Sequence, residues 1–475
     1  MENATQTATL STRQWLLLVC LFVLSLPAVT PRIYSSDEIQ YFAYLRSAVF
    51  DRDLSFENEY RYFYDRGVAR SDGFHETFLE RTTDTGRRIN FGTIGCAVLW
   101  APFYAMGHVA AGLSGAPQDG YSTPYIAAVA YGSAVYGFLA LVLAIACAGR
   151  LGLNGFAGGL AVWLGTPLLF YMYVAPPFSH ACSAFAVALM TCVWLRVRDR
   201  WSVAGLAALG AAGALMAMVR EQDLFLAAAP ALDWLWWSVS GRRTNVGERP
   251  APVGDIWKVT AAAIAFLIVY VPQLATYAVL NGHIGPHASV SNKMKWYAPH
   301  ALQVLVSPEH GYFVWTPLAA LAIAGLVWGA ATAAGEPATA TARGLRPVWI
   351  GLLLMVALHV YVSGSVDSWT VAGGFGQRRF IALTAALVIG LSRLHAAAGG
   401  ARAPRLALAA VVVLAVYWNI ALTAEFAIGL MDRQKLEPAK NAYDAFVTLP
   451  RQTPALAHRY LFDRSSFYRA NPVSR

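Results

Sequence analysis

The sequence predicts an all-α polytopic membrane protein of about eleven transmembrane helices, and three observations carry that prediction. Of the 475 residues, 57% are hydrophobic and only 13% are charged, too few charges to coat a soluble domain of this size. Apolar runs of about 18 to 25 residues recur from end to end, the length at which a helix crosses the hydrocarbon core. Arginines gather in the connections between alternate runs, as they do in cytoplasmic loops. The spans read as roughly 14 to 30, 121 to 148, 155 to 173, 178 to 195, 201 to 219, 223 to 239, 256 to 280, 312 to 331, 347 to 364, 379 to 394 and 406 to 428.

The first run, Trp15 to Val29, follows a polar N-terminus with Arg13 and has no clean small-residue cleavage site behind it, so it reads as an uncleaved span. A further apolar stretch, 91 to 112, is ambiguous by hydropathy. If it crossed, Arg196, Arg198, Arg200, Arg242, Arg243, Arg249, Arg343, Arg346, Arg393, Arg402 and Arg405 would all lie outside, against the charge bias of five loops. It is therefore expected in the interface, which puts the N-terminus inside and the C-terminus outside. The chain then divides into a transmembrane module over 1–428, holding a long first external loop over 31–120, and an external polar tail over 429–475.

Within the first loop, Ile39, Phe42, Leu45 and Val49 recur at helical spacing while Gln40, Tyr44, Ser47 and Asp51 lie elsewhere. That pattern predicts an amphipathic helix over 37–51 resting in the plane of the membrane. Ala and Gly enrichment in the spans permits close helix packing. The five cysteines, Cys20, Cys96, Cys147, Cys182 and Cys192, all sit in apolar segments without a C-x-x-C pair and read as small core residues. The net charge of +9 belongs to the arginine-rich loops rather than to nucleic-acid binding.

Two adjacent acids, Asp37 and Glu38, open the first loop directly after the first span. Ser35-x-x-Glu38 has capping-box spacing: Ser35 caps a helix and Glu38 reaches back to the cap amide. Asp37 is left in the first turn without a structural duty, where the amide dipoles favour a negative charge. A carboxylate so placed suits a general base that takes a proton from an attacking hydroxyl. The plainer alternative is that both acids only favour the helix start.

The order of first span, Tyr34-Ser35-Ser36-Asp37-Glu38, helix, Ile89-Asn90-Phe91-Gly92 and then Gly95-Cys96-Ala97-Val98-Leu99-Trp100-Ala101-Pro102-Phe103 resembles the GT-C superfamily of membrane glycosyltransferases, which includes protein O-mannosyltransferases and the lipid A aminoarabinose transferase. Ser307-Pro308-Glu309-His310-Gly311-Tyr312-Phe313-Val314-Trp315-Thr316-Pro317 and Gly373-Gly374-Phe375-Gly376-Gln377-Arg378-Arg379 after Trp369 extend the likeness to about residue 395. The resemblance implies in-plane helices in the first loop and sugar transfer on the external face of a bacterial inner membrane. The implied donor is a polyprenyl-phosphate-linked sugar, the acceptor a glycan, lipid or protein. It implies Asp37 as the base, with Glu38 able to share the task and Tyr41 of the same motif beside them. Members often carry an acid in the second external loop. This chain offers His180 there, after Pro176-Pro177-Phe178-Ser179, which argues against a metal site of the oligosaccharyltransferase kind.

For the donor's phosphate the residues themselves offer Arg378 and Arg379, whose guanidinium forks fit phosphate oxygens and follow a glycine run that lets backbone come close to a ligand. Snorkelling to headgroups is the alternative for either. Arg220, in the costly charged stretch Arg220-Glu221-Gln222-Asp223, and Lys293, near Lys295 in the longest later loop, are further phosphate candidates. Glu309 and His310 complete the candidates, each equally readable as part of a turn. No cofactor is indicated, and His283 and His287 lack partners at metal-ligand spacing. The competing class, a transporter or flippase of a lipid-linked saccharide, predicts charges or broken helices near the bilayer midplane; few such charges are present.

Overall fold

The computed structural model describes residues 9–240, 253–333, 344–371 and 373–467, so Arg242, Arg243, Arg249, Arg343 and the tail beyond Phe467 lie outside the described residues. Among the described residues the structure is helical, with only two isolated β-bridges, Thr82 with Arg88 and Met294 with Val366. Seven helices are long and apolar enough to cross a membrane, and shorter apolar helices lie among them.

Helix α1, Thr12–Ser25, is capped by Ser11, whose hydroxyl accepts from Gln14 N. Three helices follow before the next span: α2, Ser36–Arg46; α3, Glu57–Asp65; and α4, Gly95–Ser114. Helix α5, Thr123–Arg150, starts a hairpin with α4. Trp100 Nε1 donates to Ser133 Oγ at 2.9 Å, Tyr136 OH donates to Leu99 O, and His108 meets Tyr125. These pairs run antiparallel and stop at Tyr136. The rest of α5 continues alone to Arg150, which bonds Asp199 at the far end of the bundle.

Helix α4 therefore pairs with the first half of α5. At 20 residues it is itself one of the seven helices long and apolar enough to cross a membrane; the expectation that 91–112 stays in the interface rests on the arginine bias alone. Val98, Met106, Val109 and Leu113 are its exposed, lipid-compatible side.

The next span is broken. Helix α6, Phe156–Gly165, and α7, Leu168–Tyr173, are separated at Thr166-Pro167, because proline cannot supply the N–H that a continuous helix needs. Asn419 Nδ2 bridges the break by donating to Leu164 O at 2.8 Å and Thr166 O at 3.0 Å, which satisfies two carbonyls at the interruption. Helix α8, His180–Val197, descends from the same face and α9, Val203–Val219, returns to it.

A 3-10 turn over Glu221–Ala227 leads into α10, Ala228–Ser240, and then come α11, Val253–Asn281, α12, Pro317–Thr332, and α13, Arg346–Gly364. A second 3-10 turn, Arg378–Leu383, opens α14, Thr384–Ala397, and α15, Arg402–Ile428, closes the bundle. Setting α4 aside on the arginine bias and counting each broken or 3-10-led segment once leaves eleven apolar helical segments among the described residues, the number read from hydropathy. Small residues set the packing: a Cβ on Gly325 would come within 1.9 Å of Gly390 O, and one on Gly210 within 2.0 Å of Ala262 O.

The amphipathic helix expected over 37–51 is corrected in two ways. It ends as α-helix at Arg46, passing into a wider turn over Ser47–Asp51 that leaves Val49 exposed. And α2 is buried nearly all round, Gln40 and Tyr44 included, so it is wedged into the protein instead of resting on the membrane. Gln40 O accepts from Asn90 Nδ2 and its Oε1 from Phe91 N, while Tyr44 OH donates to Gly92 O. The Asn90-Phe91-Gly92 segment is thus the clamp that holds α2 down. Four cysteines are buried and Cys20 is exposed, with no disulfide among them.

The tail folds back along α15: Asn441 Nδ2 donates to Glu425 Oε2 at 2.6 Å, and Tyr417 OH donates to Ala445 O. Helix α16, Pro438–Tyr443, and α17, Leu449–Phe462, then carry it to the end of α1, where Arg464 donates to Pro27 O and Ala28 O.

Candidate functional site

The capping box at the start of α2 is formed. Ser35 Oγ accepts from Glu38 N at 3.4 Å, and Glu38 Oε2 accepts from Tyr34 N at 2.7 Å and Ser35 N at 3.0 Å. Glu38 is fully buried, and burial pushes its carboxyl up to about 8 against the pull of those two backbone bonds. Asp37, one residue earlier on a helix, necessarily points elsewhere. Its side chain is 41% exposed and one oxygen, Oδ2, meets Arg378 Nη2 at 3.0 Å.

Asp37, Tyr41, Phe178, Ser179, His180, Arg220, Gln222, Ser368, Arg378 and Arg379 enclose one cavity of about 220 Å³. Each wall traces to a local feature. Helix α8 begins at this wall, with Ser179 as its N-cap residue and His180 as its first helical residue. The end of α9 at Val219 delivers Arg220, and the 3-10 turn that follows delivers Gln222. Two glycines of the run make room for protein atoms: a Cβ on Gly374 would come within 3.2 Å of Arg378 Cδ, and Gly376, at φ +58°, packs against Pro167, while Gly373, at φ +74°, has open space around it. Arg378 lies over the Phe178 ring at 5.1 Å, and Arg379 Nη2 donates to Ser368 Oγ at 3.2 Å. Burial pushes the Tyr41 phenol up to about 12, so it enters the cavity as a neutral hydroxyl.

The polarity of the cavity is lopsided. Three guanidinium groups face a single carboxylate. The buried polar atoms of the lining that find no partner among the described residues are all nitrogens: His180 Nε2, Arg220 Nε, Gln222 Nε2 and Arg379 Nη1. Buried donors without acceptors are costly, roughly 1–3 kcal/mol each and more when charged, so such a ring is built for an anionic ligand rich in acceptor oxygens.

Of the residues singled out in the sequence, the fold brings Asp37, Tyr41, His180, Arg220, Arg378 and Arg379 together. Glu38 is adjacent but committed to the cap. His310 is buried outside the lining, stacked on Trp315, with Nε2 bonded to Gly374 O at 2.8 Å; burial holds its imidazole down at about 4. It thereby braces the loop that carries the arginines. Glu309 is exposed beyond it, and Lys293 lies exposed over the Phe91 ring, also outside the lining. Gln222, Ser179, Phe178 and Ser368 were not among the expected site residues. Gln222 alone had a signal, its place in a polar tetrad at a span end. Among the described residues, no group of three or more His, Cys, Asp or Glu side chains has metal-holding geometry.

No family model matches the chain, and no curated protein does. Among solved structures it is similar to ArnT from Cupriavidus metallidurans in the apo state, at 16% sequence identity and a TM-score of 0.44, over 95% of this chain and 78% of that chain. At that distance the function of the cavity has to be read from its own residues.

Proposed function

We propose that this protein is a membrane glycosyltransferase that moves a sugar from a polyprenyl-phosphate-linked donor to a hydroxyl acceptor, with Asp37 as general base. The observation that carries the reading is the single carboxylate set against three guanidinium groups and a ring of unpartnered buried nitrogens in one cavity. An acceptor hydroxyl beside Asp37 gives its proton to the carboxylate as its oxygen bonds to the anomeric carbon of the sugar. The bond from that carbon to the phosphate oxygen breaks, and its electron pair leaves with the polyprenyl phosphate. Arg220, Arg378 and Arg379 stabilise the charge on that leaving group, where fixed donors act most strongly. Asp37 and Arg378 hold each other, and the phosphate competes with Asp37 for Arg378 as it enters.

The cavity lies on the face opposite the loops bearing Arg150, Arg196, Arg198, Arg200, Arg346, Arg393, Arg402 and Arg405. By the charge rule those loops are cytoplasmic, so the transfer takes place outside, at a bacterial inner membrane. Cells lacking the gene should accumulate a polyprenyl-phosphate-linked sugar and lose one surface glycoconjugate, and the purified protein should release free polyprenyl phosphate only when an acceptor is present. Unchanged glycan profiles would reject the proposal. Movement of the lipid-linked saccharide across vesicles with its sugar–phosphate bond intact would replace it with the flippase reading.

A further inference from the structure

We infer that His180 is a neutral hydrogen-bond donor to the phosphate of the lipid-linked substrate, held in the required tautomer by Arg220. The inference rests on the proposed glycosyltransferase reading and assigns a role within the same cavity.

His180 is the first residue of α8 and 3% exposed, its ring lying against Phe178 at 5.7 Å and Tyr171 at 4.6 Å between centroids. These contacts fix the plane of the imidazole. Arg220 Nη1 is in hydrogen-bond contact with His180 Nδ1. A guanidinium can only donate, so Nδ1 must accept, and the single proton of the neutral ring sits on Nε2. That Nε2 has no partner among the described residues, although the ring lines the cavity with Arg378 and Arg379. A second proton would have to go on Nδ1, against the guanidinium. The ring is therefore locked as an Nε2–H donor next to the other unpartnered nitrogens, Arg220 Nε, Gln222 Nε2 and Arg379 Nη1. Four donors around one space match the acceptor-only oxygens of a phosphate better than they match sugar hydroxyls, which donate as well as accept.

Two variants separate this role from mere support of Arg220. In His180→Asn the side-chain amide reaches only the Nδ1 position, keeping an acceptor for Arg220 and losing the donor toward the cavity. In His180→Gln the longer amide reaches the Nε2 position, keeping the donor and losing the acceptor. Binding of polyprenyl phosphate to the full-length protein in nanodiscs should weaken about 10- to 100-fold in the Asn variant, the range for loss of a hydrogen bond to a charged group, and clearly less in the Gln variant. Asn binding as well as or better than Gln overturns the inference, and so does wild-type affinity in both.

A measurement on the unaltered protein keeps the inference testable if a variant does not fold. In protein labelled with ¹⁵N-histidine, polyprenyl phosphate should shift one imidazole N–H signal downfield, and an unchanged spectrum despite binding overturns it. Failure of the wild type to bind polyprenyl phosphate would bring down the glycosyltransferase reading and the inference with it. The same affinity and variant order for phosphatidylglycerol would make this a general headgroup site and overturn both.

Discussion

The two ends of the bundle use the same residue, arginine at a helix terminus, in opposite ways. At the end away from the cavity, Arg198 and Asp233 are both nearly fully buried and face each other at 2.8 Å. Trp194 Nε1 donates to the same carboxylate at 2.9 Å, and Arg198 Nη2 also reaches Gly344 O at 3.2 Å. Charge and hydrogen bonding there are matched within the protein. At the cavity end, three guanidinium groups line one space with a single carboxylate, Asp37, which pairs with Arg378, and four lining nitrogens find no partner among the described residues. A self-satisfied cluster stabilises the fold; an unsatisfied one holds its capacity for something else. Mutating either end should therefore damage a different property.

The largest effect is expected at Asp37. Replacing it with Asn should lower the transfer rate about 100-fold to 10,000-fold, the range for loss of a general base. Binding of polyprenyl phosphate should be kept or tightened, because Arg378 loses its competitor for the phosphate. Measuring transfer and lipid binding on the same preparation checks both. Near-normal turnover in the Asn variant would remove Asp37 from the chemistry.

At the opposite end, Asp233→Ala should destabilise the protein by about 3–5 kcal/mol, the usual result of leaving a buried partner charge unpaired. Transfer per folded molecule should stay unchanged. Thermal melts in detergent alongside lipid binding decide the matter. A folded Asp233→Ala protein that cannot bind polyprenyl phosphate would break the comparison between the two ends.

Next comes the arginine pair. Arg379→Ala should weaken polyprenyl phosphate binding by about 1.5–3 kcal/mol, as expected for a hydrogen bond to a charged group. Lys at 379 should restore only part of this, since it keeps the charge but not the planar fork. Arg379 is expected to matter more than Arg378, because its Nη1 is unpartnered while Arg378 already holds Asp37. Equal and full tolerance of Lys at both positions would mean that point charge alone binds the phosphate.

Much of this was legible in the sequence, and the limits have physical causes. Apolar length gave the spans, while 91–112 was set apart from them only by the arginine bias, against its own hydropathy. The box Ser35-x-x-Glu38 was readable because its bonds are local in sequence. The burial of Gln40 and Tyr44 was not, since their partners, Asn90, Phe91 and Gly92, lie about 50 residues away. Ser368 reaches the cavity through tertiary placement alone, and the signal for Gln222 was only its place in a polar tetrad at a span end. The glycine run was visible, and the fold adds what could not be read locally: Gly374 and Gly376 make room for Arg378 and Pro167, while the space at Gly373 stays open.

The smallest expected effect is at Glu38, and it tests whether adjacent acids can hold different duties. Burial raises the Glu38 carboxyl from 4.5 to about 8 in the folded protein, so folding favours its protonated form. Below pH 4.5 both folded and unfolded states carry the proton, and the group does not oppose folding. Between pH 4.5 and about 8 the unfolded chain releases the proton while the folded one retains it, so this residue's contribution to stability falls as pH rises and levels off above 8. Gln keeps a neutral side chain with a carbonyl that can accept from Tyr34 N and Ser35 N. Glu38→Gln should therefore leave stability at pH 5 within about 1 kcal/mol of the wild type, the scale of one exchanged hydrogen bond, and flatten the decline of the melting temperature toward pH 8. Transfer activity should fall far less than in Asp37→Asn. A loss of activity in the Gln variant exceeding that of Asp37→Asn, with an unchanged melting profile, would move the catalytic role from Asp37 to Glu38.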